Sequence, residues 1–145
     1  MIYIDSSSLL KVFWDEPESR SVREAIASES QVMVSVLTEL ETEVQLRAKW
    51  LGGAVTKARY NAYRNRLAAF HGTTPFEFRG LPGSVFEKAL LQNLSAKLHC
   101  RTLDRLHLAA MDELGLDRLM TNDTKQANAA RQLGYRVVSP GSDQP

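Results

Sequence analysis

Four acidic residues of this chain occupy positions where a folding domain usually has other residue types. Asp5 and Asp123 each directly follow a short apolar run, and Glu41 and Asp104 fall on the apolar side of predicted helices. A buried carboxylate is costly without a partner, and several carboxylates brought together repel one another unless a cation holds them. Carboxylate oxygens suit Mg²⁺ and Mn²⁺. The four residues therefore predict a divalent-metal site, and the leading use of such a site is hydrolysis of phosphodiester bonds.

Each of these acids also has a simpler explanation. Asp5 and Asp123 follow predicted strands and can cap the helices that come next. Asp104 falls in the first turn of a predicted helix, where the helix dipole favours an acid. Glu41 can belong to a buried ion pair, and His107, one turn after Asp104, is more often a packed core histidine than an acid–base catalyst. A single shared metal site explains the four positions better than four separate structural roles.

Short apolar runs alternate with helical patterns along the chain, which is typical of an α/β fold with a mostly parallel sheet. The predicted strands cover residues 1–4, 31–34, 119–121 and 135–138. We expect a central sheet of roughly four to five strands with helices on its faces. Because ligands gather beyond the carboxyl ends of parallel strands, Asp5 and Asp123 belong at that edge of the sheet.

The position of Glu41 is predicted from the helix that follows the second strand. Ser35 is expected to cap this helix, and Gly52 and Gly53 are expected to end it. At about 100° per residue, Glu41 falls inside the apolar stripe, whereas Glu39 and Glu43 fall on the far side. The predicted core stripe consists of Leu37, Leu40, Val44, Ala48 and Leu51.

Length and composition indicate one ordinary globular domain. The chain has 145 residues, of which 43% are hydrophobic and 24% charged. We expect a single domain over residues 1–139 and a C-terminal tail over 140–145. Cys100 is the only cysteine, so no intrachain disulfide forms, and a structural zinc site is disfavoured. No apolar stretch is long enough to span a membrane, and a cytoplasmic location is the default expectation.

The net charge of +1 conceals an uneven distribution. Residues 44–76 contain no acid, and the rest of the chain has 12 basic and 17 acidic residues. Such asymmetry indicates a polyanionic partner, although a solvated helix face would have the same composition. The basic residues of this stretch are Arg47, Lys49, Lys57, Arg59, Arg64 and Arg66.

Other catalytic motifs are absent from the sequence. No glycine-rich loop is followed by Lys-Ser or Lys-Thr, so nucleoside triphosphate hydrolysis is not supported. No Gly-x-Ser-x-Gly elbow occurs either. A phosphatase of the two-aspartate type needs a second Asp two residues after the nucleophile, where this chain has Ser7.

Five segments resemble the PIN-domain ribonucleases, and specifically the VapC-type toxins of prokaryotic toxin–antitoxin pairs. The match extends over nearly the whole chain, and the ordered set of four acids carries most of its specificity. The segments are 4–11 (IDSSSLLK), 35–41 (SVLTELE), 101–110 (RTLDRLHLAA), 120–123 (MTND) and 129–138 (AARQLGYRVV).

The resemblance implies a PIN-like three-layer fold and a Mg²⁺- or Mn²⁺-dependent endoribonuclease. It assigns metal binding to Asp5, Asp104 and Asp123, and either metal binding or orientation of the attacking water to Glu41. The chain departs from many relatives at one place, because Lys125 and Gln126 stand where those relatives carry a further acid. A catalytically weak PIN module that binds RNA or a partner is therefore the alternative.

The resemblance also implies contacts and partners. RNA is the expected substrate, and a homodimer and a neutralising antitoxin with a basic side chain for the acidic pocket are the expected protein partners. Ser6, Thr121 and Asn122 are expected to support the metal site or contact substrate. The predicted contacts to flanking phosphates are Lys11, Arg47, Arg105 and Lys125.

Overall fold

The computed structural model describes residues 1–142 and contains five strands and seven helices. Only the first three residues of the predicted 140–145 tail fall within this range. The strands are β1 (Ile2–Ile4), β2 (Val32–Ser35), β3 (Phe76–Arg79), β4 (Arg118–Met120) and β5 (Arg136–Val138). The helices are α1 (Ser6–Leu10), α2 (Ser19–Ser28), α3 (Val36–Leu51), α4 (Lys57–Ala69), α5 (Ser84–Ser95), α6 (Thr102–Glu113) and α7 (Thr124–Gln132).

The five strands form one parallel sheet in the order β3-β2-β1-β4-β5. β1 lies at the centre and pairs with β2 through Ile2 and Val32 and with β4 through Ile4 and Met120. The chain builds the sheet outward from β1 in one direction and then resumes at β4 on the other side. The order of the strands therefore reverses beside β1, and that is the position where open parallel sheets bind ligands.

Helices cover both faces of the sheet, so the predicted three-layer α/β fold is confirmed. Successive side chains of a strand point to opposite faces. Ile2 and Ile4 pack with α1–α4, whereas Tyr3 between them packs with α5–α7. Because both faces of the sheet are buried, the central strands are continuous apolar runs in the sequence, and this pattern made them predictable.

The predicted core stripe of α3 was wrong. The buried side of this helix consists of Thr38, Thr42 and Leu46, whereas Leu40 and Val44 are 59% and 54% exposed. The two threonines face the core because each hydroxyl donates to a backbone carbonyl within the protein, which removes the cost of burying it. No helix within residues 1–142 is both long and apolar enough to cross a membrane.

One strand was missed by the sequence analysis. β3 has the residues Phe-Glu-Phe-Arg and pairs with β2 at the edge of the sheet. Its alternating pattern is that of a half-buried edge strand, but it is too short to stand out from the preceding turn.

Candidate active site at the sheet edge

The four predicted acids line one pocket beyond the carboxyl ends of β1 and β4. Asp5 follows β1, Asp123 follows β4 by three residues, Glu41 comes from the second turn of α3, and Asp104 from the first turn of α6. The pocket has a volume of about 180 Å³. Its lining also includes Ser6, Ser7, Leu10, Gln45, Arg101 and His107.

Asp5 is the most deeply buried of the four, with 4% of its surface exposed. One carboxylate oxygen accepts hydrogen bonds from the Ser7 hydroxyl at 2.7 Å and from the Ser8 backbone N–H at 3.2 Å, and the other accepts from the Thr121 hydroxyl. Asp5 thus caps α1, as its simpler explanation required, and also faces the pocket. Its burial raises its pKa, although the nearby His107 and these neutral donors oppose that shift. A bound cation would favour the ionised form.

Arg101 bridges two of the other acids. Its Nε donates to Asp104 Oδ2 at 2.8 Å, and its Nη2 donates to Asp104 Oδ1 at 3.3 Å and to Asp123 Oδ2 at 2.9 Å. The guanidinium therefore lies between two carboxylates that the resemblance assigns to metal binding. Asp123 also caps α7, because its Oδ1 accepts from the backbone N–H of Lys125 and Gln126.

Glu41 is held by a chain of hydrogen bonds that starts inside the sheet. The Tyr3 hydroxyl lies 2.6 Å from Ser35 Oγ and 2.7 Å from His107 Nδ1, and His107 Nε2 bonds Glu41 Oε1. Because a carboxylate only accepts hydrogen bonds, Nε2–H donates to Glu41, and Tyr3 bonds the other ring nitrogen. Ser6 donates to the same Glu41 oxygen at 3.3 Å. His107 therefore positions the carboxylate instead of serving only as packing.

The loop after β4 is fixed to the loop after β1 by hydroxyl groups. Ser7 Oγ lies 3.2 Å from Thr121 Oγ1 and accepts from the Asn122 backbone N–H at 3.0 Å. The Asn122 side chain accepts from Ser8 Oγ at 2.7 Å and donates to the Pro140 carbonyl at 2.8 Å. Both polar atoms of this amide are hydrogen-bonded, and Asn122 does not line the pocket. Its predicted support of the metal site or contact with substrate stays a prediction.

The four predicted phosphate contacts lie in different surroundings. The prediction for Arg105 was wrong, because this side chain is 5% exposed and lines a separate, mainly apolar cavity with Phe86 and Leu90. Lys11 pairs with Glu16 and Glu18 at 2.7 and 3.1 Å. Arg47 and Lys125 are exposed, and for these two residues and Lys11 the contact to RNA stays a prediction.

Three features of the site were not predicted from the sequence. Arg101 was not singled out, although its place three residues before Asp104 is the spacing of an ion pair on one helix face. The roles of Tyr3 and His107 were missed because their contacts join residues far apart in the chain. Ser7, which the resemblance passed over in favour of Ser6, is the serine whose hydroxyl bonds Asp5.

The donor set of the pocket fits a divalent cation. Its acids supply only oxygen ligands, which suit Mg²⁺ or Mn²⁺, and the one Arg that faces them leaves a surplus of negative charge. Among the described residues, however, no three His, Cys, Asp or Glu side chains are grouped closely enough to enclose an ion. In this arrangement Arg101 pairs with Asp104 and Asp123, and His107 pairs with Glu41.

Comparison with known proteins decides the family. The model of the PIN domain family matches residues 2–132. The chain belongs to the PIN domain family. The predicted family is thereby confirmed, and the pocket of this PIN domain lies where the four acids of the motif converge.

Several individual proteins are similar to this PIN domain. Ribonuclease VapC46 of Mycobacterium tuberculosis is 30% identical over 150 residues, which cover 96% of this chain and 97% of that protein. The crystal structure of VapC20 of Mycobacterium tuberculosis, described as a sarcin-ricin loop cleaving toxin, has a TM-score of 0.73 at 17% identity and covers 97% of this chain and 100% of that one. A toxin–antitoxin complex from Klebsiella pneumoniae has a TM-score of 0.66 at 20% identity, with 97% and 98% covered.

Proposed function

We propose that this PIN domain is a Mg²⁺- or Mn²⁺-dependent endoribonuclease and the toxin of a type II toxin–antitoxin module. The observation that carries the proposal is the convergence of Asp5, Glu41, Asp104 and Asp123 on one pocket at the switch point of the sheet. Membership of the PIN family and the similarity to proteins named ribonuclease VapC support the same activity.

Asp5, Asp104 and Asp123 would hold the metal, with Glu41 as a further ligand or as the group that orients water. A divalent ion held there would lower the pKa of a bound water and offset the charge that builds on the phosphate. Hydrolysis forms one bond from the water oxygen to phosphorus and breaks one phosphorus–oxygen bond of the RNA backbone, and the departing oxygen gains a proton.

Glu41 is the side chain best placed to take the proton from the attacking water. His107 and Ser6 both bond Oε1, and within the described residues Oε2 makes no hydrogen bond. A carboxylate fixed at one oxygen and free at the other can accept a proton at the free one. Tyr3, which bonds Ser35, holds the imidazole ring in position.

Cleavage assays test the nuclease proposal. We expect the purified protein to cleave single-stranded and structured RNA in Mn²⁺, to lose that activity in EDTA, and to lose it as Asp5→Asn. Asp117→Asn is the matched control, because Asp117 is an exposed acid outside the pocket. Cleavage that persists in EDTA, or an Asp5→Asn variant with wild-type activity, would contradict the mechanism.

A PIN module that binds without cutting is the second candidate. Each acid already has a partner, since Asp5 and Asp123 cap helices, Asp104 pairs with Arg101 and Glu41 pairs with His107. Calorimetric titration with Mn²⁺ separates the two functions. Heat of binding that disappears in Asp5→Asn supports the nuclease, and the absence of Mn²⁺ binding by the wild-type protein supports the binding module.

We also propose a homodimer. One continuous apolar surface, which we call the α3–α5 face, carries large side chains that are 49% to 83% exposed. Val36, Leu40 and Phe86 line one shared cavity of about 220 Å³, so the two helices form a single patch. Exposed patches of this kind mark protein interfaces. The face consists of Val36, Leu40, Phe86, Leu90 and Leu94.

The antitoxin is the second proposed protein partner. The surplus of negative charge in the pocket suits a basic side chain as well as a metal. Arg101 of the chain itself makes ion pairs of this kind with Asp104 and Asp123. A partner that inserts Arg or Lys would compete with Mn²⁺. Co-expression with the product of the adjacent reading frame tests this, and we expect co-purification together with loss of RNA cleavage. A cytoplasmic location stays a prediction.

A further inference from the structure

A second concave site lies beside the acidic pocket, between the end of α1 and the start of α4. It is a groove of about 500 Å³ with polar and aromatic walls. We call it the Trp14–Tyr63 groove. Its lining includes Trp14, Asp15, Arg23, Val55, Arg59 and Tyr63.

Two aromatic rings form the floor of the groove. The Trp14 and Tyr63 rings meet edge to face, with centroids 5.5 Å apart at an interplanar angle of 81°, and both side chains are half-buried. Lys49 Nζ lies 5.2 Å from the centre of the Trp14 ring, and the Arg59 guanidinium lies 5.9 Å from the centre of the Tyr63 ring. Cations at these distances are attracted by the rings and are held in place by them.

The charge of the groove is positive. Within residues 1–142, neither Lys49 nor Arg59 forms an ion pair, and Arg23 donates only to the backbone carbonyls of Val12 and Trp14. Asp15 is the single acid in the lining. Cations that stack on rings and lack a carboxylate partner fit a ligand with both negative charge and flat rings, and a nucleotide has both.

The groove lies one helical turn from the acidic pocket. Leu10 and Gln45 line that pocket, and Trp14 and Lys49 follow them by four residues. The backbone N–H of Trp14 donates to the backbone carbonyl of Leu10 at 3.2 Å, so one helical turn separates the two sites along this side. A helical turn rises about 5.4 Å, which is a step on the scale of one nucleotide. A strand with a phosphate at the acids therefore reaches the groove with a neighbouring base.

We propose that the Trp14–Tyr63 groove binds a nucleotide of single-stranded RNA next to the one that is cleaved. The base contacts Trp14 and Tyr63, and Lys49, Arg23 and Arg59 contact the phosphates on either side. This binding rests on the proposed ribonuclease function for its substrate, but it is measured without cleavage. It also gives the acid-free stretch over residues 44–76 a role, because Lys49, Arg59 and Tyr63 all belong to it.

The test uses a labelled single-stranded RNA oligonucleotide in EDTA, with fluorescence anisotropy as the readout. We expect Trp14→Leu to weaken binding roughly tenfold, since a base stacked on an aromatic ring contributes that much. We expect Arg59→Gln to weaken binding and to reduce the slope of log affinity against log salt by about 0.7, the value for one lost phosphate contact on a single strand. Circular dichroism confirms that each variant is folded, and Arg59→Gln, at an exposed position, keeps the test valid if Trp14→Leu misfolds.

Arg131→Gln is the matched control, because Arg131 is an exposed cation on α7 that bonds only Asn128 among the described residues. Wild-type affinity and salt slope in both groove variants would overturn the proposal. So would variants that bind RNA normally but lose an antitoxin, which would assign the groove to a protein. If the groove variants lose RNA binding while the wild-type protein never cleaves RNA in Mn²⁺, the groove stands and the nuclease proposal fails. If Mn²⁺-dependent cleavage is normal in both variants at all RNA concentrations, the groove fails and the nuclease proposal stands.

Discussion

Replacing Arg101 with Gln tests how this protein holds its acidic pocket together. The guanidinium lies between Asp104 and Asp123 and would have to move before a divalent ion could occupy the same position. Gln keeps much of the side-chain length but removes the charge. We therefore expect the variant to be less stable without metal and to bind Mn²⁺ more tightly.

The size of the effect follows from exposure. The Arg101 side chain is 65% exposed, which screens its interactions, whereas Asp104 and Asp123 are 12% and 28% exposed. Partly screened ion pairs contribute about 0.2–1 kcal/mol each, so the two together contribute about 1 kcal/mol. For a chain of this size that corresponds to a fall in melting temperature of about 3 °C without metal. The same energy, no longer needed to displace Arg101, raises the Mn²⁺ affinity roughly fivefold.

Isothermal titration calorimetry measures the affinity, and thermal unfolding with and without Mn²⁺ measures the stability. Arg136→Gln is the matched control, because Arg136 forms an exposed ion pair with Asp117 far from the pocket. We expect that control to change neither the Mn²⁺ affinity nor the gain in melting temperature on adding Mn²⁺. An Arg101→Gln variant with unchanged or weaker Mn²⁺ binding would refute the reasoning, because it would mean that Arg101 does not compete for the metal position.

Three further predictions concern His107, the Arg118–Glu29 ion pair and the α3–α5 face. His107→Ala should reduce RNA cleavage roughly 10- to 100-fold with little change in RNA affinity, because Glu41 loses the group that orients it; a parallel loss of RNA binding would argue against this role. Arg118 makes two hydrogen bonds to Glu29, which hold the pKa of Glu29 below its ordinary value. The stabilisation is complete above that ordinary value and is lost as pH falls through the lowered one, so Glu29→Gln should cost about 1 kcal/mol in urea unfolding at pH 7 and nothing in strong acid. Leu90→Lys should convert a dimer to a monomer in sedimentation velocity, whereas the equally exposed Leu51→Lys, outside the α3–α5 face, should not.

The strands and the position of the acids were predictable because both follow from strong local signals. The strands of a sheet buried on both faces are uniformly apolar, and a residue directly after such a strand must lie at its carboxyl end. Asp5 and Asp123 could therefore be placed from the sequence. β3 could not be predicted, because a four-residue edge strand has little sequence pattern that distinguishes it from a turn.

The face of α3 was mispredicted because an apolar stripe was equated with the core. Leu40, on the α3–α5 face, and Val44 are both exposed. Thr38 and Thr42 are buried because their hydroxyls donate to backbone carbonyls. Glu41 reaches the pocket because it lies beside Thr38 and Thr42 on the helix. Its placement was right although the stripe used to argue for it was not.

The partners of the acids could not be read from the chain. Arg101 meets Asp123 across 22 residues, and Glu41 meets His107 across 66. Such pairs depend on how the helices pack, and no local pattern encodes them. The burial of Arg105 also depends on helix packing. The helical pattern of α6 predicts that Arg105 faces solvent, but α5 covers this position in the fold.

The hydrogen-bonded series from Ser35 through Tyr3 and His107 to Glu41 has a consequence for how such a protein can diversify. Its first three members are buried within the sheet and α6, where a substitution endangers folding. The residues that would contact RNA in the groove, Lys49 and Arg59, are on the surface and are free to vary. Substitutions in the groove would therefore change which RNA is selected, whereas Glu41, the proposed proton acceptor, would keep its alignment.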